Sequence, residues 1–235
     1  MAWTKRDVVS SGNEPAGFSR GLRPEVSLMD TGEIHEEWAS RSREYSPGYY
    51  AYYGPDERSE LIRERVEAML DPDAVILEPG CSSGRHLAHL NEHGFRDLHG
   101  IEINDAALDV MAEEFPELAE TGSFHLEPIE EVVPGFADDR FDVVFSVETL
   151  QHIPPDSEWV FAELARVAGE LLVTVENEGE KAEGGSGDAD VTYVHGEIPL
   201  YYRNWRAVFS EFGFREIHSE VVDRDVLRVF RPENR

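Results

Sequence analysis

Apolar residues in this chain follow two rhythms. In five short runs, AVILEP (74–79), DLHGIEI (97–103), GSFHLEPI (122–129), FDVVFSV (141–147) and ELLVTVE (170–176), they gather into segments that read as strands. FDVVFSV is apolar on both faces, as expected of a parallel strand covered on both sides. Between the strands the spacing lengthens to three and four. RHLAHLNEHG (85–94) is a helix ended by Gly94. Leu108, Met111 and Phe115 stripe a second helix, capped by Asn104 or Asp105 and stopped by Pro116. Val160, Phe161, Leu164 and Val167 share one side of a third, with Gly169 at its end, and Trp205, Val208, Phe209 and Phe212 share one side of a last one. Upstream, Asp56 and Glu57 open a helix whose Leu61, Ile62, Val66, Met69 and Leu70 recur at helical spacing up to Asp71-Pro72. FREIHSEVV (214–222) and DVLRVFRP (225–232) read as a closing hairpin about Asp223-Arg224. This alternation predicts an α/β domain: a doubly wound, mostly parallel sheet with an antiparallel pair at its end.

Three stretches lack such rhythm. Residues 1 to about 35 carry Gly, Pro, Ser and scattered charge, so 1–40 reads as a partly mobile N-terminal extension and 41–235 as the domain proper. Between Glu36 and Ile62 stand Trp38 and five tyrosines, Tyr45, Tyr49, Tyr50, Tyr52 and Tyr53, either packing under the first helix or closing over a ligand. NEGEKAEGGSGDAD (177–190) is polar and glycine-rich, a loop that serves as a lid or a mere insertion.

Charge narrows the partners. With 21 basic and 49 acidic residues the net charge is 21 − 49 = −28, and Lys5 and Lys181 are the only lysines. Such a surface repels DNA and anionic membranes, and its self-repulsion is relieved by salt, whose Debye length falls to roughly 3 Å at 1 M. Acid-rich and lysine-poor composition together suggest a high-salt cytoplasm. Cys81 is the single cysteine, so no internal disulfide forms, and no apolar run nears the roughly 18 residues that span a bilayer. The expectation is a cytoplasmic protein acting on a small molecule, with the oligomeric state left open.

Chemistry concentrates at the first strand end. In a doubly wound sheet the ligand lies outside the carboxyl ends of the strands, beside the first one. There the sequence places Glu78, Gly80, Ser82 and Gly84. A glycine turn built for phosphate offers bare N–H groups, and a carboxylate beside it would repel the anion. The dinucleotide fingerprint is absent, since Gly80 and Gly84 stand alone, and the P-loop fails because Arg85-His86 follow Gly84. A second acid, Glu102, stands 24 residues after Glu78, where a carboxylate would meet a ribose diol. An adenosine end at Glu102 and a cationic end near Glu78, with no phosphate between, fit S-adenosylmethionine. A dehydrogenase or other nucleotide-phosphate enzyme would need the cradle this turn lacks.

ILEPGCSSGRHL, GIEIN and FDVVFSVETLQHI, in that order and spacing, resemble the class I S-adenosylmethionine-dependent methyltransferases over about residues 55 to 231. The resemblance implies a Rossmann-like sheet of seven strands with the last antiparallel. It also implies that Glu78, Gly80, Cys81, Ser82 and Gly84 contact the methionine part of the cofactor, with Glu102 and neighbouring Ile103 at the ribose. After the third strand the family places an acidic or polar residue against the adenine; Pro128 falls there, leaving that role to Glu127 or Ile129. Ser146 and Val147 match the position beside the methionine moiety, and LQHI, with Gln151, the substrate-facing segment. Tyr49 and Tyr53 are substrate candidates in the segment that closes over the cofactor in relatives, and Tyr201, Tyr202 and Arg203 lie before the last helix, where many relatives place substrate contacts. The alternative to a methyltransferase is a non-catalytic module that binds S-adenosylmethionine or S-adenosylhomocysteine.

Plainer readings apply elsewhere. Cys81, whose one neighbouring base is His86, reads as a small buried turn residue rather than a nucleophile. His86, His89 and His93 share one helix face without a flanking thiol or carboxylate of ligand spacing, so they read as a solvated polar face and no metal is expected. His152 follows the fourth strand where substrate should approach and is the candidate general base.

Overall fold

The computed structural model describes residues 29–179, 190–194 and 198–233. Residues 1–28, most of the 177–190 loop and the stretch 195–197 lie outside the described residues.

In chain order the helices are α1 (Thr31–Ala39), α2 (Pro47–Tyr53), α3 (Glu57–Glu67), α4 (Arg85–Glu92), α5 (Ala106–Glu114), α6 (Pro116–Thr121), α7 (Ile129–Val132), α8 (Trp159–Val167) and α9 (Trp205–Glu211). The strands are β1 (Val75–Pro79), β2 (Asp97–Glu102), β3 (Ser123–Leu126), β4 (Phe141–Val147), β5 (Ala168–Glu176), β6 (Asp190–Val194), β7 (Ile198–Tyr202), β8 (Phe214–Val222) and β9 (Asp225–Pro232). Seven strands form one sheet in the order β3-β2-β1-β4-β5-β9-β8, in which β9 runs antiparallel to both of its neighbours. Successive strands are added outward from β1 on one side as β2 and β3 and on the other as β4 and β5, so the crevice of a doubly wound sheet opens between the parallel β1 and β4.

Two apolar layers sandwich the sheet. Leu87 and Leu90 of α4, Met111 of α5 and Ile62 and Val66 of α3 pack on one face with Ile76, Val143 and Val173. Phe161 and Leu164 of α8 and Trp205 and Phe209 of α9 cover the other with Leu77, Val144 and Leu172. Strands covered on both sides need continuous apolar runs, and β4 is buried at every position but Asp142. Edge strand β8 instead alternates between more exposed and less exposed positions.

Local chemistry sets the helix starts. Asp30 and Asp56 accept backbone N–H groups as N-caps of α1 and α3, and Ser46 caps α2 ahead of Pro47. At α5 Asp105 occupies the cap position without a side-chain bond, while Asn104 Oδ1 accepts from Ala106 N at 3.1 Å. Gly169 does not end a helix; α8 passes at Ala168 directly into β5, and Gly169 lies within the strand. Two features are less visible in the sequence. Residues 31–39, the end of the expected extension, form α1 with Ile34 buried, and Asn104 Nδ2 donates to the carbonyls of Trp38 and Arg41 at 3.0 Å each. Residues 190–194 and 198–202 form a separate antiparallel pair, β6 with β7.

Candidate functional site

A cleft opens at the carboxyl ends of β1, β2 and β4, enclosing about 1090 Å³ when its solvent-filled mouth is included. Its floor begins with Glu78, which is 1% exposed and whose Oε2 has no hydrogen-bond partner. Burial pushes this carboxyl well above its ordinary pKa; nearby Arg85 opposes the shift and Glu102 adds to it. Gly80 follows at φ +73°, and a Cβ there would lie 2.3 Å from Thr149 Oγ1. Only glycine lets the two loops meet so closely. Gly80 and Cys81 both donate to the Ile101 carbonyl, at 2.8 and 3.0 Å, fastening the turn to β2.

Glu102 locks the same turn. Its Oε2 accepts from Ser82 N at 2.7 Å and its Oε1 from Ile103 N and Asn104 N at 2.7 Å each. A carboxylate offers about four lone-pair sites, so one on Oε2 is left to face the cleft. Cys81 is buried, with its thiol pushed well above its usual pKa by burial and then by Glu102 and Glu78, which leaves it inert.

Ile103, Glu127 and Ile129 line the cleft, together with Pro128 between the last two and Val147 at the end of β4. Gly84 and Ser146 do not. Gly84, at φ +79°, starts α4 and is walled in by Leu118 and Met111. Ser146 Oγ points to the far side of its strand and donates to Glu176 Oε1 at 2.7 Å.

His152 is 8% exposed and lines the cleft. Its Nδ1 lies 2.9 Å from the Pro199 carbonyl. A carbonyl can only accept, so Nδ1 carries the proton and Nε2 keeps its lone pair. Burial lowers the imidazole pKa to about 4, keeping it neutral. Gln151 accepts from Asn177 N through Oε1 at 2.8 Å, which turns its amide nitrogen toward His152 Nε2, 3.5 Å away.

The roof comes from α1 and α2. Ile34, His35, Trp38, Tyr45, Pro47 and Tyr50 line the cleft, whereas Tyr49 and Tyr53 do not. The helical phase of α2 explains the split, since Pro47 and Tyr50 are three apart on one face and Tyr49 and Tyr53 are four apart on another. Trp38 packs against His152 with ring centroids 4.8 Å apart and planes tilted by 60°, and its indole N–H is buried without a partner. His35 pairs with Glu130 at 3.3 Å, latching roof to floor. Tyr201 and Tyr202 are absent from the lining: Tyr201 is buried against Arg203, and Tyr202 packs on Gly179. Arg203 donates to the carbonyls of Ile153 (2.6 Å) and Leu150 (3.4 Å) and to Glu158 (3.0 Å), so it holds the His152 turn from behind. The histidines of α4 separate as well, because His86 is buried against Ser59 Oγ at 2.7 Å rather than solvated.

Sequence reasoning left open whether the segment of Trp38, Tyr45 and Tyr50 closes over a ligand, and it missed Ile34, His35, Arg85 and the pair Glu148-Thr149 at the end of β4, all of which line the cleft. It also missed Glu176, an acid ending an apolar strand, which was the signal available.

Residues 77–170 match the family model described as a methyltransferase domain. The matched stretch holds the glycine turn, Glu102 and His152, so in sequence the chain resembles a methyltransferase domain at the cleft itself. The chain is 27% identical over 207 residues to phosphoethanolamine N-methyltransferase 2 of Caenorhabditis elegans, covering 86% of the chain and 44% of that protein. It is 26% identical over 149 residues to the O-methyltransferase cnsE of Penicillium expansum, covering 59% of the chain and 54% of that protein. The chain thus spans about half the length of these relatives. In fold it resembles magnesium protoporphyrin IX methyltransferase of Synechocystis PCC 6803, solved with S-adenosylhomocysteine (TM-score 0.62, 13% identity, 86% of this chain and 100% of that one). It also resembles the 1,6-didemethyltoxoflavin-N1-methyltransferase of Burkholderia thailandensis (TM-score 0.60, 17% identity, 76% and 78%). The cleft fits S-adenosylmethionine: an orphaned buried carboxylate oxygen at Glu78 suits a cationic amine, and the N–H groups of Gly80, Cys81 and Ser82 in the turn are already taken by Ile101 and Glu102. Among the described residues no helix is long and apolar enough to cross a membrane.

Proposed function

We propose that this chain transfers a methyl group from S-adenosylmethionine to a small molecule bound under the α1–α2 roof. The observation that carries the reading is Glu78 Oε2, a buried acceptor that waits for a donor inside the cleft. When bound, the cofactor supplies a methyl carbon on a positively charged sulfur, which leaves as a neutral thioether.

Glu78 accepts the cofactor's amine, and Glu102 offers its remaining lone pair to the ribose diol while holding the glycine turn. Glu127, Pro128 and Ile129 form the wall at the adenine, and Val147 with Gly80 the wall at the methionine part. The roof of Trp38, Tyr45 and Tyr50 excludes water, and alignment in a dry pocket is the main demand of an in-line displacement. For an acceptor that arrives protonated, His152 takes the proton at Nε2, displacing the long 3.5 Å contact from the Gln151 amide. A smaller hollow shares Trp38, Tyr45, Tyr50 and His152 with the cleft and adds Gln151 and Arg224, and it is there that we place the acceptor. This reading replaces Tyr49, Tyr53, Tyr201 and Tyr202 as substrate contacts.

The acidity of the chain supports a small acceptor over nucleic acid, and Cys81 as the lone cysteine supports a cytoplasmic, reducing setting. The test is to incubate the protein and labelled S-adenosylmethionine with a small-molecule cell extract and to identify labelled products by mass spectrometry. A labelled metabolite that vanishes with His152→Ala supports the reading; cofactor bound but never consumed supports the non-catalytic module instead.

A further inference from the structure

We propose that Glu60, His89 and His93 form a zinc site that ties α3 to α4. His89 of α4 and His93, the residue that caps its end one turn on, lacked a third ligand in the sequence; the fold supplies it from α3. Glu60 Oε2 lies 2.8 Å from His89 Nε2, and one donor atom from each of the three side chains falls within 4.8 Å of the others. None of the three lines the cleft.

The hydrogen bonds around the trio suit a metal. His93 Nδ1 donates to the His89 carbonyl at 2.8 Å, so its Nε2 is a bare lone pair. Metal-binding histidines are commonly oriented by such a bond from the opposite ring nitrogen to a backbone carbonyl. Arg63 holds the Glu60 carboxylate from outside, Nε to Oε2 at 2.9 Å and Nη2 to Oε1 at 2.6 Å, which fixes its direction. As zinc enters, the ring proton of His89 moves through solvent from Nε2 to Nδ1, so that Nε2 and Glu60 Oε2 both turn lone pairs to the metal, and His93 swings in as the third ligand. Tetrahedral zinc with bonds near 2.0–2.1 Å needs donors about 3.4 Å apart, so one contact opens slightly and the others close through side-chain rotation. Two imidazoles with one carboxylate select zinc over magnesium or calcium, which prefer oxygen. With three protein ligands the fourth position belongs to water.

The test is calorimetric titration of tag-free protein with zinc chloride in 1 M KCl, which screens diffuse attraction to the acidic surface, with calcium chloride as the control. Expected are one zinc per chain with a Kd below about 10 μM, at least tenfold weakening in both His93→Ala and His89→Gln, a zinc-dependent rise in Tm in the unaltered chain only, and a nitrogen-and-oxygen shell by X-ray absorption. His93 is exposed, so its alanine variant keeps the fold. Absence of saturation near one equivalent, equal binding by the variants, equal binding of calcium, or a sulfur ligand would each overturn the site.

Discussion

Ser146 Oγ donates to Glu176 Oε1 across 2.7 Å, joining the end of β4 to the end of β5 through a carboxylate that is fully buried. The same carboxylate accepts Thr149 N and Leu150 N on Oε1 and Gln151 N on Oε2, at 3.3, 3.1 and 3.2 Å. Burial pushes its pKa up to about 8, against the pull of these four donors. The turn that presents His152 is therefore built on Glu176.

Glu176→Ala leaves a hydroxyl and three N–H groups unpaired in the interior, a loss on the order of 2–4 kcal/mol of folding stability. Denaturant titration should show that loss, and kcat should fall more than KM changes, because the displaced turn carries the base. Glu176→Gln, which keeps one acceptor oxygen, should recover part of both. An Ala variant with unaltered kcat would place the turn's rigidity elsewhere.

Glu78→Gln should separate stability from binding. The change weakens a charge-assisted bond worth roughly 1.5–3 kcal/mol, so affinity for S-adenosylmethionine should drop by about tenfold or more. The ligand-free protein should become more stable, since a buried carboxylate with an orphan oxygen gives way to a neutral amide. Because the folded pKa of Glu78 is raised, its contribution is present below the ordinary carboxylate range and lost as pH rises; the stability gain of the variant should grow with pH. Calorimetry and thermal melts at two pH values measure both effects.

His152 should show its protonation in the rate. With its pKa lowered to about 4, the imidazole is a base throughout the neutral range, so the acid limb of kcat/KM attributable to it should fall near pH 4 rather than 6.5. The folded pKa is depressed, so stability from this residue is full above about 6.5 and is lost as pH falls toward 4. His152→Ala should lower kcat roughly 10²-fold for an acceptor that arrives protonated.

The charge of −28 predicts salt-dependent folding. Thermal unfolding followed by circular dichroism should show a markedly higher Tm in 1 M KCl than in dilute buffer. Equal melting in both would remove the high-salt reading.

Much of this architecture was legible because parallel strands covered on both faces must be apolar throughout, as in FDVVFSV, and helices must be striped. Glu78 and Glu102 were legible because acids at the ends of apolar strands have few other reasons to be there. The roof was not, since Trp38 and Tyr50 reach the cleft through the packing of α1 and α2, and nothing in a run of tyrosines says which face turns inward. Arg203 misled for a related reason: before a final helix it looks like a substrate contact, yet three backbone and side-chain acceptors bind it inside the wall. Glu60 met His89 only because α3 folds back on α4, 29 residues earlier in the chain.

Titration calorimetry with S-adenosylmethionine, S-adenosylhomocysteine, NAD and ATP, at a salt concentration where the protein is folded, tests the central claim most directly. The two sulfur nucleosides should bind at one per chain and lose affinity in Glu78→Gln, with NAD and ATP silent. Tight binding of NAD or ATP, with no heat from S-adenosylmethionine at any ionic strength, would contradict it.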